Sequence, residues 1–247
     1  MGSGNMVQGP WMDVRAAMIG FDTPTPDPSD AAPPEWRAIV DQETARRPCG
    51  HDDPRAVVVL GAPCSGKSTV TARAGIDESE VVIVDSDRVK PALARIGERR
   101  HEAARDVSRM ILWAAVRNRQ HVYVEGASHI PAKSVAVLAG LRLSGYHVTT
   151  IFLDVPLAIA AERARARAVE GAHDVPYRIV MRACADLPRA ASQFEGWSHE
   201  FFIYDTGGAE PRLVRASKGE KPPPADDYAR LVAGFCPSIR RWAEAIR

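Results

Sequence analysis

The run Gly61-Ala-Pro-Cys-Ser-Gly66-Lys67-Ser68-Thr69 fits the pattern G-x-x-x-x-G-K-[ST]. It follows the β-branched run Ala56-Val-Val-Val-Leu60 and precedes a stretch that can open a helix, the flanks the pattern requires. The glycines let backbone N–H groups turn inward around a phosphate. A helix N-terminus behind them adds partial positive charge. Lys67 is placed to reach β- and γ-phosphates, and the Ser68 hydroxyl suits Mg²⁺, a cation that takes oxygen ligands and keeps several waters. The expected cofactors are ATP, with GTP as the alternative, and Mg²⁺. The expected nucleotide-binding residues are Gly61, Ala62, Pro63, Cys64, Ser65, Gly66, Lys67, Ser68 and Thr69. Cys64 reads as a small filler of the loop.

The rest of the chain has the alternation this loop needs. Val81–Val84, His121–Val124, Val148–Leu153 and Phe201–Tyr204 read as further strands, with Pro211–Arg215 a sixth at an edge. Their apolar residues do not alternate with polar ones, as expected for strands buried on both faces. Helices are expected over 101–118, 132–143, 156–170, 176–190 and 223–246. In the first of these, Ala104, Val107, Ile111, Ala114 and Ala115 share one face. The fold class is therefore α/β: a P-loop NTPase, nucleotide-kinase-like, with a parallel sheet of about five strands flanked by helices. Residues 1–54 contain Thr23-Pro-Thr-Pro-Asp-Pro-Ser and Pro33-Pro34, and read as a Pro-rich, partly helical N-terminal arm. Residues 55–247 would form the kinase domain, with a lid around 160–178 and a C-terminal helix at 223–246.

Composition narrows the partners. With 45% hydrophobic and 26% charged residues, the chain is an ordinary globular one. A net charge of +1 argues against a whole-molecule electrostatic grip on nucleic acid or anionic membrane, leaving a local basic patch and nucleic acid as an acceptor open. The 4 cysteines, Cys49, Cys64, Cys184 and Cys236, have no metal or redox spacing and read as free thiols in a reducing compartment. No stretch is long and apolar enough to span a bilayer and no secretory h-region opens the chain. A cytoplasmic location is expected.

Three further places carry candidate chemistry. Asp85 and Asp87 follow the second strand, at the edge where open α/β sheets bind ligands. Alternation would point both to the same side, Asp85 as a metal-facing acid and Asp87 as the base that takes a proton from an acceptor hydroxyl. The competing reading is a helix cap, with Ser86 or Asp87 as the cap residue. Glu125 and Gly126 end the third strand, where Glu125 would hold a Mg²⁺-bound water or grip substrate hydroxyls, and Gly126 would let a ligand come close. After the fourth strand, Arg163 and Arg167 share a helix face and would place guanidiniums on the transferring phosphoryl group. A solvated face paired with Glu162 and Glu170 is the alternative.

The ordered series resembles the zeta-toxin family of P-loop kinases across roughly residues 55–220. It comprises Gly61–Thr69, Val-Asp85-Ser-Asp87, Tyr-Val-Glu125-Gly126, Glu162-Arg163, Gly171-Ala-His173-Asp-Val-Pro176 and Tyr204-Asp205-Thr206-Gly207. The resemblance implies an ATP-dependent kinase of the 3′-hydroxyl of UDP-N-acetylglucosamine, in some members a toxin held by an antitoxin. It implies Asp87 as base, Lys67 as phosphate anchor, Glu125 as a substrate contact and Arg163 as the first phosphoryl-stabilising arginine. Asp85, Gly126, Ser128 and His129 fall where substrate is expected. The chain departs from the family at Ala127, Ser128 and His129, and carries His173 where toxins commonly have a second lid arginine, a role open to Arg167 or Arg178. A kinase of a nucleoside, nucleotide, antibiotic or hydroxylated nucleic-acid base uses the same parts. A partner-dependent ATPase switch would share only the P-loop.

Overall fold

A strand apolar on every residue needs cover on both faces, and among the described residues most helices pack on one face of the sheet and the helix behind the phosphate loop on the other. The computed structural model describes residues 32–73, 76–126, 130–169 and 175–216. Helix α1 (Pro34–Thr44) precedes β1 (Arg55–Gly61), the phosphate loop and α2 (Lys67–Arg73). Then come β2 (Val82–Val84), α3 (Ser86–Arg95), α4 (His101–Arg117), β3 (Val122–Gly126) and α5 (Pro131–Leu143). Next are β4 (His147–Asp154), α6 (Leu157–Val169), α7 (Tyr177–Arg189), α8 (Ala191–Gly196), β5 (Glu200–Asp205) and β6 (Arg212–Ala216).

The sheet has 6 strands in the order β2-β3-β1-β4-β5-β6. Strands β1 to β5 are parallel and β6 runs antiparallel at the edge. The sixth, edge strand is therefore present. Alternation splits the apolar residues between two cores. Ala56, Val58 and Leu60 of β1 pack in one with residues of α1, α4 and α7 such as Val40, Ile111 and Leu187. Val57 and Val59 pack in the other with Val70, Ile83, Tyr123, Ile151 and Phe202. The expected face of α4 is buried in full. The helix expected over 176–190 is α7, and the short α8 follows it separately.

One local reading is corrected. The second strand stops at Val84, and α3 begins at Ser86, so Asp85 and Asp87 do not alternate along a strand. Asp85 itself is the helix cap: its side chain accepts the Asp87 N–H at 2.9 Å. Extended backbone at Asp85 and a short carboxylate favour the cap over one more strand residue. Residues 1–31 of the expected arm, Ser128, His129, Glu170, His173, Cys236 and the helix expected at 223–246 lie outside the described residues.

At the N-terminal ends of the inner strands, two histidine pairs stack, His51 on His121 at 3.9 Å and His147 on His199 at 4.6 Å between ring centroids. His121 Nδ1 accepts the Arg55 N–H and His199 Nδ1 accepts the Val148 N–H, both at 3.0 Å, so each must keep a lone pair. Burial, aided by His51 and Arg55, pulls His121 from 6.5 down to about 4. A base whose folded pKa is depressed stabilises the fold above its unfolded pKa, and that stability drains as pH falls through 6.5 toward 4. The melting temperature should fall across that window, and His121→Asn, which keeps an acceptor but cannot titrate, should flatten the slope. An unchanged slope in the variant would remove His121 from the account.

Candidate active site

The C-terminal ends of β1, β2 and β3 open into a cleft of about 1100 Å³, slightly larger than most small-molecule sites. The phosphate loop forms its floor. Asp85, Ser86 and Asp87 line one side with Glu125 and Gly126, and Arg163 and Arg167 stand over the loop from α6. Residues of α4 and α5, including Arg105, Arg109 and Lys133, close the far wall.

The loop's shape follows from its small residues. A Cβ on Gly61 would lie 2.9 Å from the Leu153 carbonyl oxygen and 2.5 Å from Ser65 Oγ, so β1 approaches β4 there only without a side chain. Gly66 has φ +90°, where glycine carries no steric cost. Cys64 has φ +61° although it is not glycine, so it shapes the turn as well as filling it. For Gly126 the close neighbour is protein: a Cβ would meet Leu60 Cδ2 at 3.2 Å.

Lys67 is buried, and its Nζ donates to the Gly61 and Ala62 carbonyls at 3.0 and 2.8 Å. Burial lowers its pKa to about 8, with Glu125 the strongest opposing influence and Arg167 adding a downward push. Phosphate charge beside it would favour the ammonium form further.

The acid that meets the loop serine is Glu125. Register sets this: β3 lies directly beside β1, with Val59 opposite Glu125, whereas β2 is one strand farther out. Ser68 Oγ donates to Glu125 Oε1 at 3.1 Å, and Thr71 Oγ1 donates to Oε2 at 2.9 Å. Asp85 stands at the end of β2, beside Glu125, since Val84 pairs with Val124. Burial chiefly raises Asp85 to about 6, and the Glu125 and Asp87 carboxylates add to the rise. Asp87 lies in the first turn of α3 with its side chain 66% exposed, 2.6 Å from Lys90 Nζ.

These donors fit Mg²⁺, being hydroxyl and carboxylate oxygens in an open cleft with room for waters. Among the described residues no group of 3 or more His, Cys, Asp or Glu converges on a cation site. A cation carried by nucleotide phosphates, with one or two protein oxygens, matches that arrangement.

Arg163 joins two nucleotide-side loops. Its guanidinium donates to the Thr206 carbonyl at 2.9 Å, the Gly208 carbonyl at 3.4 Å and the Cys64 carbonyl at 3.5 Å. Asp205 Oδ1 accepts the Gly207 N–H at 2.8 Å, folding that turn over the cleft. Arg167, one turn on, also lines the cleft, while Arg165 does not.

A sequence model described as zeta toxin matches residues 40–206, more than half of the chain. The chain belongs to the zeta toxin family. No curated protein matches it. Solved structures align over most of its length at low identity. The PezAT chromosomal toxin-antitoxin system of Streptococcus pneumoniae aligns with TM-score 0.57 and 14% identity, over 89% of this chain and 97% of that one. The AvrRxo1-ORF1:-ORF2 complex aligns with TM-score 0.57 and 14% identity, over 88% and 86%. The same complex with ATP aligns with TM-score 0.58 and 13% identity, over 85% and 84%. At this identity the likeness establishes the fold alone.

Of the sequence-identified residues, the fold gathers Asp85, Asp87, Glu125, Gly126, Arg163 and Arg167 around the loop of this zeta toxin family member. Arg178 is exposed and does not line the cleft. The solvated-face alternative fails for Arg163, whose partners are carbonyls. No role was legible in the sequence for Thr71, for Tyr123, for the Thr206 and Gly208 carbonyls as partners of Arg163, or for Arg105, Arg109 and Lys133 of the far wall. A signal existed for two, since Thr71 is one turn beyond Ser68 and Tyr123 shares a strand face with Glu125. Arg163→Ala should lower turnover by about 10- to 100-fold, the scale of a hydrogen bond from a charged group. ATP affinity should change less, which a comparison of kcat with nucleotide titration checks. A loss confined to ATP affinity would make Arg163 a ground-state contact.

Proposed function

We propose that this zeta toxin family member is an ATP- and Mg²⁺-dependent kinase that phosphorylates a hydroxyl of a small molecule. A sugar nucleotide such as UDP-N-acetylglucosamine is the leading acceptor. One observation carries the reading: the phosphate loop and the acids Asp85 and Asp87 open into the same cleft. ATP with Mg²⁺ supplies the phosphoryl group and the charge that holds it in place. GTP would meet the same loop contacts.

The chain's own groups then have distinct tasks. Lys67, which donates to loop carbonyls, would hold phosphate oxygens, and Ser68 would offer a lone pair to the cation. Asp87 takes the proton of the acceptor hydroxyl as the new O–P bond forms and the bond to the departing diphosphate breaks. Lys90 holds the Asp87 carboxylate at the lip of the cleft. Asp85 caps α3 and so fixes the backbone that carries Asp87. Arg163 braces the loop and the Thr206 turn around the transferring group, with Arg167 as the second lid arginine. Gly126, Ser128 and His129 belong to the acceptor side in this reading, and His173 to the lid of a kinase domain spanning 55–247.

An antitoxin is the proposed protein partner, supported by the toxin-antitoxin system among the structural neighbours. A cytoplasmic site of action fits a consumer of ATP and agrees with the finding that no described helix is long and apolar enough to cross a membrane. The test is incubation with labelled ATP and a panel of UDP-sugars, nucleosides, aminoglycosides, phenicols and modified-base DNA, read by product mass. A UDP-N-acetylglucosamine product carrying one added phosphate is expected. A product on another acceptor class would replace the substrate and leave the kinase standing.

A further inference from the structure

Glu125 is gripped from one side by a chain of hydroxyls that reaches into the core. Tyr123, two residues earlier on β3, points to the same sheet face and is 2% exposed. Its hydroxyl lies 2.8 Å from Thr71 Oγ1, which lies 2.9 Å from Glu125 Oε2. The other carboxylate oxygen takes the Ser68 proton at 3.1 Å. Thr71 and Ser68 both stand on α2, so the chain ties the helix behind the phosphate loop to β3.

The direction of the protons follows from inventory. Thr71 has one hydroxyl proton and two neighbouring acceptors besides tyrosine: Glu125 Oε2 and, at 3.1 Å, the Lys67 carbonyl. The ionised oxygen is the stronger acceptor. Tyr123 must then donate to Thr71, and burial raises its phenol far above the ordinary value, so the proton stays on it. Every hydroxyl in the series points its proton toward Glu125. Ser68 therefore turns its lone pairs away from Glu125, the orientation that a metal-ligating hydroxyl needs.

We propose that Tyr123 and Thr71 are positioning residues, which lock Glu125 so that it holds the Ser68 hydroxyl with its lone pairs presented to the nucleotide-bound cation. The proposal rests on the Mg²⁺-nucleotide reading of the cleft and adds to it two groups that touch neither nucleotide nor acceptor. Partners behind a metal ligand typically contribute 10- to 100-fold to metal affinity or activity.

The experiment is calorimetric titration of Mg²⁺ into the full-length protein saturated with a non-hydrolysable ATP analogue, with kcat and KM for ATP measured in parallel. Tyr123→Phe and Thr71→Val keep the packing shape and remove one hydroxyl each. Each should weaken apparent Mg²⁺ affinity by about 10-fold or more and lower kcat at fixed Mg²⁺. Binding of the analogue without Mg²⁺ should be unchanged, and Thr71→Ser should restore wild-type Mg²⁺ affinity. A merely structural role would lower the melting temperature and leave Mg²⁺ affinity alone, which overturns the proposal, as does failure of Thr71→Ser to rescue. If Tyr123→Phe does not fold, the Thr71 pair decides. If the wild-type protein itself does not bind Mg²⁺ with the analogue, the nucleotide reading fails first, and that outcome is distinguishable from wild-type binding with indifferent variants.

Discussion

Asp87→Asn should lower kcat for phosphoryl transfer by about 10²- to 10⁴-fold, the contribution of a positioned general base. ATP affinity should stay within about twofold, because a base on the acceptor side makes no phosphate contact. The geometry sets the expectation apart from a stability effect. Asp87 is exposed in the first turn of α3, and its structural tie through the backbone is to Asp85, which accepts the residue's N–H whatever its side chain. The amide keeps the size of the carboxylate and loses its basicity. The matching control is Asp85→Asn, since asparagine caps a helix about as well as aspartate. Should Asp85→Asn abolish transfer while Asp87→Asn retains it, the base is Asp85, whose raised pKa of about 6 lies nearer to working pH.

Lys67→Ala should reduce transfer by about 10²- to 10³-fold, the scale of one preorganised donor to the reacting group. It should also weaken ATP binding by about 10- to 100-fold, because a charged hydrogen bond to phosphate is lost in the ground state too. The two losses together distinguish Lys67 from Asp87. The fold should tolerate the change. Lys67 is a buried cation with a pKa lowered to about 8, so its removal also relieves a desolvation cost, although the Gly61 and Ala62 carbonyls lose their donor. Nucleotide titration, turnover and a thermal melt of the same preparation check all three. Wild-type ATP binding with Lys67→Ala would remove the phosphate loop from the site.

What the sequence made legible is what depends on neighbours in the chain. The run Gly61–Thr69 encodes its turn and helix start locally, and Ala56–Leu60 announces burial on both faces by lacking polar alternation. The face of α4 follows from helical period alone. What was hidden depends on strand order. Nothing local says that β3, not β2, lies beside β1, so the acid that meets Ser68 could not be separated from Asp85 by spacing. The start of α3 was legible only as the competing reading and one or two residues late, because Asp85, Ser86 and Asp87 are all residue types that cap a helix and Asp85 takes the place. The far wall of the cleft was also unread, because Arg105, Arg109 and Lys133 look like any solvated helix face until the tertiary fold brings their helices to the cleft.

The most direct test follows the label of γ-phosphate-labelled ATP in the presence of UDP-N-acetylglucosamine and Mg²⁺. ADP should appear together with an equal amount of labelled phosphosugar nucleotide, little inorganic phosphate should form, and Asp87→Asn should stop the transfer. Release of the label as inorganic phosphate, with no acceptor in the panel carrying it, would contradict a kinase and leave an ATPase in its place.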